Sequence, residues 1–76
     1  MSEAPNLVVG RHAVAELLAR DPRAAQELLV AGPERSPAVA QALELARVGG
    51  VKVRRMSRSD LDRLAQGAAH QGLALR

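Results

Sequence analysis

A short apolar run, Leu7-Val8-Val9, meets Gly10, and the apolar positions then switch to helical spacing at Val14, Leu17 and Leu18. A change of period across a glycine predicts a strand, a tight turn and a helix. This restricts the chain to folds in which a strand feeds straight into a helix. The turn is where function is expected. The first N–H groups of a helix have no partner within the helix, and beyond a strand end they face a place that suits an anionic group. Arg11 and His12 occupy that place, with a merely solvated helix start as the alternative for both.

The alternation continues along the chain. A helix over 12–20 is expected to stop at Asp21-Pro22, because proline drives the residue before it out of the helical region. Leu28, Leu29, Val30 and Ala31 form an unbroken apolar run bounded by Gly32-Pro33, which reads as a strand covered on both faces. Ser36-Pro37 supplies an N-cap residue and a proline at the first helical position, and Val39, Ala42, Leu43 and Ala46 repeat along one face until Gly49-Gly50. In 51–56, Val51 and Val53 alternate with Lys52 and Arg54, the pattern of a strand with one wet face, near a sheet edge. Ser57 is the expected N-cap of a short helix with Asp60 near its positive end, Leu61, Leu64 and Ala65 facing inward and Gly67 closing it. Leu73-Ala74-Leu75 forms a last strand that runs to Arg76, as in a domain cut from something longer.

Strands alternating with helices predict a small three-layer α/β/α sandwich, with a four-stranded parallel or mixed sheet and about three helices. The second strand should be internal and the third nearer an edge; the order is otherwise open. Seventy-six residues suffice for one core, burying only about 60% of the unfolded surface. With no aromatic residue, that core is aliphatic and offers no stacking platform. The absence of cysteine removes disulfides and thiolate metal sites and permits a reducing cytosol. The apolar runs are too short to cross a bilayer, and residues 1–6, with Glu3 and Pro5, carry no signal-peptide pattern.

The net charge of +3 is modest, but its distribution is uneven. Lys52, Arg54, Arg55 and Arg58 fall in one short stretch, whereas Glu16, Asp21, Glu27, Glu34 and Glu44 are scattered. These cations either contact phosphates or form a solvated edge that discourages strand pairing. Two histidines far apart without cysteine do not make a metal site, and Asp60 and Asp62 read as dipole partner and surface charge rather than an acid–base pair. Nothing matches a P-loop, a dinucleotide fingerprint or a nucleophile elbow.

The segment V-V-G-R-H-A-V-A-E-L-L, the block A-R-V-G-G-V-K-V over 46–53 and H-Q-G-L-A-L over 70–75 resemble the N-terminal substrate-binding domain of the SpoU family. These are S-adenosylmethionine-dependent RNA 2'-O-ribose methyltransferases. The H-Q-G followed by aliphatics is the most specific of the three motifs. The resemblance implies an L30e-like fold, shared with ribosomal L30e and L7Ae. It also implies a single RNA substrate-binding domain over 6–76 after a flexible start at 1–5, acting in the cytoplasm, away from membranes, on structured ribosomal or transfer RNA. In the family such a domain precedes a knotted methyltransferase domain that binds the cofactor, dimerises and carries catalysis. The resemblance therefore implies S-adenosylmethionine, homodimerisation and enzymatic activity for the parent protein only. No catalytic residue, cofactor or metal is assigned to this chain. The sequence departs from many relatives in having Val9, not an aromatic residue, before Gly10, which removes one base-stacking surface.

RNA contact is thus expected at Arg11, His12, His70 and Gln71, and at Lys52, Arg54, Arg55 and Arg58, with Gly10 and Gly72 as structural turn positions. His70 and Gln71 could instead satisfy backbone groups where the last strand enters the sheet. Gly72 should allow close approach of a neighbouring strand, the first one near Gly10, and so bring His70 beside His12 in one cationic lip. Two other functions fit the same residues: a scaffold domain contacting its own catalytic domain, and a stand-alone kink-turn RNA binder of the L30e type.

Overall fold

The computed structural model describes residues 7–32 and 35–76; the start at 1–5 and Pro33 lie outside them. The elements follow the alternating order. Strand β1 (Val8–Val9) leads into helix α1 (Arg11–Arg20), and a 3-10 turn (Pro22–Ala24) precedes β2 (Glu27–Val30). Then come α2 (Pro37–Gly49), β3 (Lys52–Arg55), α3 (Arg58–Leu64) and β4 (Leu73–Leu75).

Local chemistry sets the boundaries. Gly10 has φ 99° and ψ 148°, a conformation essentially confined to glycine, which lets α1 begin directly after β1. The turn at Asp21-Pro22 ends α1, and Gly50, in the left-handed region, caps α2. The Ser57 hydroxyl accepts the Asp60 N–H at 3.0 Å and starts α3. Ser36 stands at the N-cap position of α2 without a side-chain cap bond.

The sheet is mixed, with strand order β1-β4-β2-β3. β2 and β3 are parallel, while β4 runs antiparallel between β1 and β2. Its two faces carry separate cores. Leu28, Val30, Leu73 and Leu75 pack with Val14 and Leu18 of α1 and Val39, Ala42 and Ala46 of α2. Leu29 and Ala74 pack on the other face with Leu61 of α3. Each fully buried Leu or Val contributes about 1.5–3 kcal/mol of transfer free energy. These aliphatic side chains therefore supply the main drive for the three layers to close.

Two expectations change. β3 is the edge strand as anticipated, but all four of its residues are exposed and only Val51, just before it, is buried. An outermost strand has a neighbour on one side only, so Val53 stays 41% exposed. Gly72 makes its close approach to the end of β2 and not to the first strand: a Cβ there would lie 3.2 Å from the Gly32 nitrogen and 3.3 Å from its Cα.

Candidate functional site

Because β1, β2 and β3 run in the same direction and each is followed by a helix, all three helices start at one end of the sheet. The chain entering β4 arrives at the same end. That pole therefore gathers Gly10-Arg11-His12, the turn before α2 with Arg35, the end of β3 with Arg55, Arg58 at the start of α3, and the 70–73 turn. Lys52 begins β3, in register with Glu27, and so belongs to the opposite end. The pole is further polarised by the positive ends of α1 and α2.

The 70–73 turn joins the pole together. The Leu73 N–H donates to the His70 carbonyl at 3.0 Å, and both central residues, Gln71 (φ 55°) and Gly72 (φ 81°), have positive φ. Gly10 N–H donates to the Leu73 carbonyl at 3.1 Å, tying in the end of β1. Ala31 N–H donates to the Gly72 carbonyl at 2.9 Å, tying in the end of β2. The Gln71 side-chain oxygen accepts the Arg11 N–H at 3.1 Å, so the G-R-H and H-Q-G segments do meet. The first amide of α1 is consequently occupied by protein; the His12 and Ala13 amides have no partner earlier in the helix.

His70 differs from its expected exposure beside His12. Its ring is 3% exposed and both nitrogens are engaged. Gly72 N–H donates to Nδ1 at 2.9 Å, so Nε2 carries the ring proton and donates to the Asp62 carboxylate. The imidazole is buried because it replaces backbone partners inside a tight turn, and it is out of a ligand's reach. Asp62 is the corresponding surprise: its carboxylate, expected to be surface charge, holds that ring.

His12 is exposed next to Arg11, and the two line a groove of about 370 Å³ between α1 and α2 with Ala15, Pro37, Ala38 and Gln41. Gln41 was not legible as a site residue, since nothing in its surroundings sets it apart from any polar position on an exposed helix face. Of the cationic stretch, Arg54 is spent on Glu27 at 3.5 Å, a carboxylate shared with Arg76 at 3.0 Å. Arg58 is exposed, with no ion pair among the described residues. The three acidic and histidine side chains needed for a metal site do not come together among the described residues.

Residues 7–76 match the family model for RNA 2'-O ribose methyltransferase substrate binding. The chain belongs to that family. Curated proteins similar to the chain include the 23S rRNA (guanosine-2'-O-)-methyltransferase RlmB of Vibrio cholerae, 41% identical over 71 residues that cover 92% of this chain and 28% of the relative. RlmB of Xanthomonas campestris pv. campestris is 33% identical over 76 residues, all of this chain and 30% of the relative. An uncharacterized tRNA/rRNA methyltransferase of Mycobacterium sp. strain KMS is 38% identical over 69 residues, 91% of this chain and 22% of the relative. The chain thus spans less than a third of the length of these relatives. What it shares with them is the substrate-binding portion, in which the strand–glycine–helix turn and the H-Q-G turn lie.

Proposed function

We propose that this chain is the RNA-recognition module of an S-adenosylmethionine-dependent ribosomal or transfer RNA 2'-O-ribose methyltransferase, and that the pole around Arg11 holds the RNA. The observation that carries this reading is the bond between the Arg11 N–H and the Gln71 side chain, which makes one surface from two segments 60 residues apart. Arg11 can grip a phosphate with two parallel hydrogen bonds or stack on a base, and His12 can donate to either. The groove between α1 and α2, with the Gln41 amide on its wall, accommodates an unstacked nucleotide, the form in which RNA sequence is read. Arg58, exposed at the start of α3, adds phosphate neutralisation. His70 acts from inside the turn.

Methyl transfer itself belongs to the methyltransferase portion of the parent protein, a homodimer in this reading and cytoplasmic like its RNA substrate. No helix of the described residues is long and apolar enough to cross a membrane.

The test is a titration of the chain with labelled 23S ribosomal RNA hairpins at several salt concentrations, followed residue by residue through amide shifts. Shifts centred on Arg11, His12, Gln41 and Gln71, with affinity falling steeply with salt, are the expected result. An absence of shifts overturns the reading in favour of a scaffold domain. Preference for a kinked duplex over other hairpins favours a stand-alone kink-turn binder.

A further inference from the structure

The Gln71 side-chain amide has one oxygen and one NH2 group, and the two are not interchangeable here. The oxygen accepts the Arg11 N–H, so the NH2 is directed away from the helix start, and among the described residues no protein acceptor takes it. Gln71 is itself held in a left-handed conformation that a non-glycine residue adopts only when its surroundings impose it. The His70 side chain spans the same turn. Its Nδ1 accepts the Gly72 N–H across the turn, and its Nε2–H is anchored on Asp62 of α3, on the far face of the sheet. Removing the carboxylate would leave a buried ring N–H without a partner, a cost that favours turning the imidazole out of the turn.

We propose that Asp62 and His70 are positioning residues of the RNA interface, which set the 70–73 turn so that Gln71 presents its NH2 outward, beside Arg11, as a fixed donor to a phosphate or base acceptor. This rests on the RNA-recognition reading above and deepens it, adding a donor whose orientation is fixed before RNA arrives. Pre-orientation of that kind lowers the ordering cost of binding.

Asp62 offers a test by sign. It is an anion on a module that binds a polyanion, so by charge alone its removal tightens binding or leaves it unchanged. As a positioning residue its removal weakens binding. The side chain is 60% exposed, so replacing it leaves the two cores intact. With a 23S ribosomal RNA hairpin as probe, Asp62→Ala is expected to bind about threefold to tenfold more weakly, the scale of one hydrogen bond. Asp62→Asn, whose amide oxygen still accepts from Nε2, is expected to restore the affinity. In the RNA-free protein, Asp62→Ala should speed hydrogen exchange of the Arg11 amide relative to the Val14 amide, which bonds to Gly10 and reports general loosening. Hairpin binding by Asp62→Ala as tight as or tighter than wild type, with Arg11 exchange unchanged, overturns the positioning role and leaves RNA recognition standing. Failure of the wild-type chain to bind any hairpin overturns RNA recognition and the positioning role together.

Discussion

Gln71 combines a liability and a benefit in one residue. Its left-handed backbone costs about 1 kcal/mol relative to glycine, and its side chain caps the first amide of α1, which is worth about the same. Gln71→Ala keeps the backbone cost and loses the cap, so chemical denaturation should report a loss of about 1 kcal/mol. Gln71→Gly loses the cap but relieves the backbone and should fall close to wild type. Equal destabilisation by the two would mean that the turn imposes no strain. At this scale the sequence revealed Gly10 and the polar H-Q pair, because glycine and polar residues at element boundaries have local causes. It did not reveal the Asp62–His70 bond. That bond depends on where α3 ends relative to the sheet, a tertiary fact that no spacing of eight residues encodes.

The elements were more legible than their contacts. The helix expected over 12–20 is found at Arg11–Arg20, and Asp21-Pro22, Gly49-Gly50 and Ser57 mark boundaries as their backbone chemistry requires. The strand expected over 28–31 is found at Glu27–Val30, internal and covered on both faces. β3 was read correctly as an edge, yet the alternation of Val51 and Val53 overstated its apolar face, because periodicity signals facing direction and not whether anything lies opposite. Gly49 shows the converse, a contact invisible to propensity. In a helix alanine is normally preferred to glycine by about 1 kcal/mol, but a Cβ at Gly49 would sit 2.5 Å from the Cβ of Pro22. Gly49→Ala should therefore lower the unfolding free energy by about 1–3 kcal/mol less the helix gain, as overpacking does, seen as a lower denaturation midpoint. A raised midpoint would show that the 3-10 turn yields freely.

At the scale of the molecule, the sheet order sorts the charges into two populations. Arg11, His12, Arg55 and Arg58 lie at the pole where the helices begin, while Lys52 lies at the other and Arg54 is tied to Glu27. The basic stretch that reads as one cluster in the sequence is thus divided along the length of one strand, at about 3.3 Å per residue. Arg58→Ala should weaken binding of every RNA hairpin similarly and reduce the slope of log affinity against log salt by about one. Lys52→Ala should leave both unchanged. An equal effect of the two substitutions would place the RNA along β3 instead of across the pole.

The outer and central strands β1 and β4 lie side by side in opposite directions, with Val8 opposite Leu75. The polypeptide therefore enters and leaves through adjacent doors on the side away from Arg11. Such a layout suits a cartridge: spliced into a surface hairpin of an unrelated carrier, it would need no stretching of the host backbone, and the Arg11 pole would still face outward.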